Sequence, residues 1–157
     1  MDLFEEAALA YLCGPAQRFV NAQFNIPYEG FKGGSCPDFV VVDFSDNTVY
    51  VVEVTQSATT KAVLERVANR QGRWLDPLRN HFRNLDLLFK DWDFHVSVFV
   101  RGEVAKATEH VVENFPDVSV ISLDKVMFPW RWDWKKGPPS NPLRAPEKLP
   151  SSTGGKA

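Results

Sequence analysis

Residues 37–56 read PDFVVVDFSDNTVYVVEVTQ, and this stretch decides the fold. Valine and aromatic residues fill two runs, Phe39 to Phe44 and Thr48 to Thr55, and such runs are typical of strands with a buried face. The polar turn Ser45-Asp46-Asn47 joins the two runs. The sequence therefore predicts a hairpin of two neighbouring strands.

Two carboxylates lie near the open end of this hairpin. Asp38 begins the first strand and Glu53 comes near the end of the second, so pairing places them opposite each other. Facing carboxylates repel, and a hard divalent cation between them removes that cost because oxygen ligands suit Mg²⁺ or Mn²⁺. The alternatives are that Asp38 only begins a turn and that Glu53 points to solvent from a one-sided sheet.

These residues resemble the PD-(D/E)XK nuclease superfamily, whose motif has Pro-Asp on one strand and an acid, any residue and a lysine on the next. Pro37-Asp38 matches the first half, and Glu53-Val54-Thr55 matches the second half except for the lysine. The resemblance covers residues 38–74. It implies a restriction-endonuclease-like α/β core, with a mixed central sheet flanked by helices. It also implies a nuclease that uses Mg²⁺ or Mn²⁺ to hydrolyse phosphodiester bonds of DNA or RNA, with DNA as the first expectation.

The resemblance implies a role for each motif residue. Asp38 and Glu53 are expected to be catalytic metal ligands, and the Val54 carbonyl is a candidate third ligand. Thr55 occupies the position of the family's catalytic lysine, and its hydroxyl carries no charge with which to stabilise a transition state. This departure leaves open whether the site is active or retired.

Residues outside the motif complete the expected site. Lys61, early in the next helix, is the first candidate to replace the missing lysine, and Lys32 is the second. Gln56 is a candidate for positioning a water. The opening helix is expected to supply a further metal ligand from Glu5 or Glu6, and we assign Glu6. The alternative is a solvated first turn whose acids favour the helix dipole.

The rest of the chain predicts an alternation of helices and strands. Helices are expected over Asp2 to Leu12, Pro15 to about Phe24, Thr59 to Trp74, from Asp76-Pro77 onward, and Glu103 to Asn114. Further strands are expected over Ile26 to Lys32, Phe94 to Arg101 and Val118 to Leu123. This order is typical of an α/β domain with a mixed sheet.

A basic segment follows the hairpin. Residues 61–83 contain six basic and two acidic side chains, a local charge of +4 in a chain whose net charge is −2. Arg66, Arg70 and Arg73 are spaced four and three apart, so we expect them to share one helix face that binds substrate. A basic face beside paired acids suits a nucleic acid, whereas the alternative is an ordinary solvated helix surface.

Bulk properties predict one globular domain over residues 1–127, followed by a tail over residues 128–157. The tail begins with a tryptophan-rich segment that either covers the core or forms a docking patch for a partner. It continues as an extended stretch rich in proline, glycine and serine, which suits a protein that lies along a partner. Cys13 and Cys36 form no disulfide framework, and the N-terminus lacks the features of a signal peptide, so we expect a cytoplasmic protein. No apolar run approaches the roughly 18 residues of a membrane span.

Three functions agree with these features. The first is the metal-dependent nuclease, for which a homodimer is a natural way to cut two strands. The second is a nuclease fold that has lost catalysis and binds nucleic acid or a protein. The third is an assembly component, for example of a phage particle, that uses the tail to lie along a partner.

Overall fold

The computed structural model describes residues 1–26, residues 34–127 and Leu143. Its strands are β1 (Arg18–Ala22), β2 (Phe39–Asp43), β3 (Thr48–Thr55), β4 (Asp93–Val100) and β5 (Val118–Ser122). Its α-helices are α1 (Leu3–Leu12), α2 (Lys61–Ala68), α3 (Asp76–Leu85), α4 (Gly102–Val112) and α5 (Leu123–Val126). A π-helical turn (Gln71–Leu75) connects α2 to α3, and a 3₁₀ turn (Leu87–Asp91) precedes β4.

The strands form one mixed sheet in the order β1-β2-β3-β4-β5. The first three strands form an antiparallel meander, and β4 and β5 then run parallel to β3. Helices α2 and α3 connect β3 to β4, and α4 connects β4 to β5, because parallel neighbours need a crossover connection. The predicted α/β class with a mixed central sheet flanked by helices is confirmed.

The hairpin predicted from residues 37–56 is also confirmed. In its register Phe39 pairs with Val52 and Asp43 pairs with Thr48. Asn47 has a φ of 54°, the left-handed conformation that asparagine tolerates in a tight turn. This register brings Asp38, which precedes Phe39, next to Glu53, which follows Val52.

Alternate residues of β2 and β3 pack into two separate cores, one on each face of the sheet. Because side chains alternate along a strand, a residue and its second neighbour share a face. One core contains Val40, Val42, Val49 and Val51 from the sheet with Val63, Val67, Leu78, Ala105 and Val112 from α2, α3 and α4. The other contains Phe39, Val41, Tyr50 and Val52 with Ala8, Leu12, Leu123 and Val126 from α1 and α5.

One predicted helix is wrong and another is too long. The helix expected from Pro15 to Phe24 is instead strand β1, because its backbone pairs with β2 and Arg18 forms a buried ion pair with Asp43 at 2.6 Å. The single helix expected from Thr59 to Trp74 ends at Ala68, and the chain continues into the π-helical turn. In both places tertiary contacts override the local helical pattern.

Most of the predicted tail, the predicted strand over Ile26 to Lys32 and the candidate Lys32 lie outside the described residues. Leu143 is the exception, because it is 1% exposed and packs into the core beside α1 and α5. Its carbonyl accepts hydrogen bonds from the hydroxyls of Ser97 (3.1 Å) and Ser119 (2.5 Å). This residue of the tail therefore packs against the chain's own sheet.

Across the described ranges, no helix combines the length and apolar character needed to cross a membrane. Cys13 and Cys36 are both free, exposed thiols.

Candidate functional site

Asp38 and Glu53 come together at the open end of the β2–β3 hairpin, on the face that α2 covers. Asp38 alternates with Val40, and Glu53 alternates with Val51, so both acids follow core residues of that face. The Val54 N–H donates to Asp38 Oδ2 at 2.6 Å, which fixes one acid against the strand that carries the other. Glu53 is only 5% exposed. The register and the Val54–Asp38 hydrogen bond therefore hold a buried and a half-buried carboxylate side by side.

An arginine from α2 lies directly on this pair. Arg66 Nη2 donates to Glu53 Oε2 at 2.6 Å, and the Arg66 side chain remains 33% exposed. Arg73, from the π-helical turn, adds a second positive charge that acts on Glu53. The Nε atoms of Arg66 and Arg73 are buried and have no hydrogen-bond partner within the described part of the chain. The cations beside the acids are therefore only partly engaged.

Burial dominates the electrostatics of both acids. It raises the pKa of Glu53 from 4.5 to about 7, although Arg66 opposes this effect, and the charge of Asp38 adds to it. Burial also raises the pKa of Asp38, while the Val54 N–H lowers that pKa and the charge of Glu5 raises it. Removing water from a carboxylate disfavours its charged form, and a neighbouring negative charge does the same. The charge of Asp38 therefore makes ionisation of Glu53 more difficult.

The N-terminus of α1 adds two more acids to this corner. Asp2 caps the helix by accepting from the N–H groups of Phe4 and Glu5, both at 2.9 Å, and Glu5 Oε2 accepts from the Asp2 N–H at 3.1 Å. This reciprocal capping box satisfies donors that the helix end would otherwise leave free. Gln56, just after β3, donates from Nε2 to Asp2 Oδ2 at 3.2 Å. The cap thereby joins α1 to the end of the strand that carries Glu53.

The structure does not bring Glu6 to the acid pair. Glu6 is exposed on α1, and the acid of this helix whose charge acts most on Asp38 is Glu5. Within residues 1–26 and 34–127, no group of three or more histidine, cysteine, aspartate or glutamate side chains is arranged to hold a metal ion. The three-carboxylate site predicted with Glu6 is therefore not formed, because successive helix positions point about 100° apart.

Asp38 and Glu53 remain the two carboxylates that could hold a divalent cation. Mg²⁺ is commonly bound by one or two carboxylates together with several waters, and carboxylate oxygens are the hard ligands it prefers. The groups whose charges act on the pair are Asp2 and Glu5 on the negative side and Arg66 and Arg73 on the positive side. With Asp38 and Glu53 included, four carboxylates lie with two guanidinium groups and with the Met1 ammonium, which is 3.6 Å from Glu5 Oε2, so the ionised acids outnumber the cations by one.

Arg70 lies elsewhere, so the prediction that the three arginines share one face is wrong. Its guanidinium makes two hydrogen bonds to Asp117, at 2.7 and 2.6 Å, and lies 4.2 Å from the centre of the Phe115 ring. Arg70 is 9% exposed. Helix α2 ends before Arg70, and the change to a π-helical turn directs it towards the start of β5. Arg70 therefore joins two elements of the fold.

Neither Thr55, which occupies the position of the motif lysine, nor Lys61, its first candidate substitute, forms an ion pair with the two acids in the described ranges. Thr55 alternates with Glu53 along β3, and its hydroxyl accepts from the Ser57 N–H at 3.3 Å. Lys61 is exposed at the first position of α2, and no ion pair in the described ranges joins it to either acid. Arg66 supplies the cation instead. One signal in the sequence pointed to Arg66, because it is a basic residue about 1.4 turns beyond Lys61 on the helix that follows the motif.

Comparisons with protein-family models, with curated proteins and with solved structures find no match for this chain. The resemblance to the PD-(D/E)XK nucleases therefore depends on the motif residues. The geometry described above is the remaining guide to function.

Proposed function

We propose that this chain is a divalent-metal-dependent nuclease that hydrolyses phosphodiester bonds of DNA or RNA, with DNA as the first expectation. The observation that carries the proposal is the pair of buried Glu53 and half-buried Asp38, held side by side by the register of the antiparallel strands, with Arg66 against Glu53. Carboxylates that face each other repel and destabilise a fold, and a cation bound between them offsets that repulsion.

The order of the elements supports the same proposal. A helix, a three-stranded meander, a helical crossover and a strand parallel to the third follow one another from α1 to β4. This is the core that the resemblance to the PD-(D/E)XK superfamily implies. The acids also lie at the carboxyl end of β3, the first of three parallel strands, where open α/β sheets commonly place their ligands.

Each residue of the site has a separate role in such a reaction. Asp38 and Glu53 are the metal ligands, and Mg²⁺ or Mn²⁺, when bound, supplies an activated water and neutralises charge on the phosphate. Arg66 and Arg73 place positive charge beside the acids, where a phosphate would need it. Lys61, exposed at the start of α2, is positioned to contact a nucleic acid backbone rather than the acids. A cytoplasmic location and a homodimer that cuts both strands remain predictions that accompany this function.

The test is cleavage by the purified chain in Mg²⁺ and then Mn²⁺, on duplex, single-stranded and branched DNA and on RNA. Asp38→Asn and Glu53→Gln should each lower the rate by at least about a hundredfold, because each removes a charged metal ligand. Glu109→Gln makes the same chemical change at an exposed position on α4 and should cleave like the wild type. Cleavage that survives both substitutions in the acid pair would refute the proposal.

A second candidate is a nuclease fold that has lost catalysis and binds nucleic acid. Two observations favour it: Thr55 carries no charge at the lysine position, and Arg66 already occupies Glu53 Oε2. This candidate predicts salt-dependent binding without cleavage in either metal, and weaker binding when Arg66 and Arg73 are neutralised. Metal-dependent cleavage that Glu53→Gln abolishes would decide in favour of the first candidate.

A further inference from the structure

The contact between Arg66 and Glu53 is close but incomplete. One guanidinium nitrogen makes the single 2.6 Å hydrogen bond, whereas an arginine can donate two parallel bonds to a carboxylate. Arg66 Nε is buried without a partner in the described part of the chain, and a third of the side chain is exposed. By comparison, Arg70 makes the full two-bond contact with Asp117 and is far less exposed. The two ion pairs of this helical segment are therefore built differently.

We propose that Arg66 is a resident cation of the candidate site, which neutralises Glu53 until a divalent metal takes that carboxylate and which then turns to the substrate phosphate. This inference rests on the proposed nuclease function. In this inference Arg66 competes with the metal for the Glu53 carboxylate and also contacts the substrate. No covalent step is added, since the guanidinium only exchanges one anionic partner for another.

The geometry favours this exchange in three ways. Arg66 and the metal would need the same carboxylate, so each excludes the other from Glu53 Oε2. A single contact from a side chain that is one-third exposed can be broken without moving α2, whose Val63 and Val67 hold it in the core. Arg73 stays beside Glu53 when Arg66 leaves, so the acid corner keeps one positive charge.

The position of Thr55 shows why the chain needs such a residue. Thr55 lies two residues after Glu53 on β3 and therefore on the same face of the sheet. The resemblance places a charged lysine there, and a threonine hydroxyl cannot supply positive charge to a phosphate. Arg66 reaches the same acid from α2 and is permanently charged. Its planar guanidinium also matches two phosphate oxygens at once.

The experiment measures metal affinity and cleavage separately in the full chain. Binding of Mn²⁺ is followed by electron paramagnetic resonance of the free ion, without nucleic acid, and cleavage is followed on the best substrate. The variants are Arg66→Gln, which removes the charge, and Arg66→Lys, which keeps the charge but loses the planar contact. Lys90→Gln removes one positive charge from the 3₁₀ turn before β4, and the first residue of β4, Asp93, pairs with Thr48, about 16 Å along β3 from Glu53.

Opposite changes are expected in the two measurements. Arg66→Gln should bind Mn²⁺ about tenfold more tightly, because a competing charged hydrogen bond is gone, yet cleave about a hundredfold more slowly. Arg66→Lys should lie between Arg66→Gln and the wild type in both, and Lys90→Gln should match the wild type. Circular dichroism of each variant establishes that the fold is retained.

Two results would overturn the inference alone. One is unchanged or weaker Mn²⁺ binding by Arg66→Gln in a protein that binds the metal, and the other is wild-type cleavage by that variant. If neither the wild type nor Arg66→Gln binds Mn²⁺, and the wild type does not cleave, the proposed function fails and the inference fails with it. Metal binding that appears only in Arg66→Gln supports the competition directly.

Discussion

The clearest physical consequence of the acid pair is a loss of stability as the pH rises through the neutral range. Burial raises the pKa of Glu53 from 4.5 to about 7, so the folded state holds a proton on this carboxyl that the unfolded state releases. An acid whose pKa is higher in the folded state contributes full stability below its unfolded pKa and loses it as the pH rises through the folded pKa. The window for Glu53 is therefore about pH 4.5 to 7.

The size of the effect follows from the shift. A difference of about 2.5 pKa units at 1.36 kcal/mol each corresponds to about 3 kcal/mol. The Glu53 side chain is 7% exposed, so solvent screening reduces this value little. Burial also raises the pKa of Asp38, so this carboxyl adds a change of the same sign. Asp43 and Asp117 have lowered pKa values, and their contributions are lost only as the pH falls below the ordinary value of 3.8.

The assay compares the wild type with Glu53→Gln, which keeps the shape but cannot ionise. Urea unfolding between pH 4.5 and 8 in EDTA can be followed by the fluorescence of the buried Trp74 and Trp92. The free energy of unfolding of the wild type should fall by about 3 kcal/mol relative to the variant across this range. Added Mg²⁺ or Mn²⁺ should remove the difference, because a metal that binds ionised Glu53 stabilises the folded state at neutral pH. Parallel curves for the two proteins in EDTA would refute the reasoning.

Two further predictions concern parts of the fold outside the candidate site. Arg70→Ala should lower the free energy of unfolding by about 1–3 kcal/mol, because it removes two charged hydrogen bonds from the partly buried Asp117, which keeps the one from Gln71. Arg79→Ala breaks an exposed pair and should cost less than about 1 kcal/mol. Equal losses would contradict a structural role for Arg70. Leu143→Ala should cost about 2–5 kcal/mol by creating a cavity beside α1 and α5, while Leu85→Ala, at a side chain 63% exposed, should change stability little. An unaffected Leu143→Ala protein would show that the tail does not contribute to the core. Urea denaturation measures all four variants.

The sequence predicted the hairpin and its acid pair because both depend on local rules. Alternation of valine and aromatic residues predicts strands, and a polar turn between them predicts that they pair. Once the strands are paired, the positions of Asp38 and Glu53 near their ends follow from register alone. The predicted bounds of β4, β5 and α4 agree with the structure to within one or two residues. The reason is the same, because each of these segments has a strong hydrophobic periodicity of its own.

The segment that became β1 shows where local rules fail. Residues 15–24 carry no period strong enough to separate helix from strand, and Pro15 favoured the start of a helix. The pairing of Arg18 with Asp43 decides the matter, because their side chains are 1% exposed and the ion pair forms only when β1 lies beside β2. A contact across 25 positions is absent from any short window of sequence.

By itself, the sequence determined the α/β class, the hairpin and the juxtaposition of two carboxylates on it. Only the tertiary structure decided which arginine contacts Glu53. Arg66 and Arg70 are four residues apart and alike in sequence, yet one contacts Glu53 and the other contacts Asp117, 47 positions further along the chain. The physical reason is that the spacing of two residues on a helix fixes only the directions of their side chains relative to each other. The partner that each guanidinium finds depends on how α2, the π-helical turn and β5 pack on the sheet.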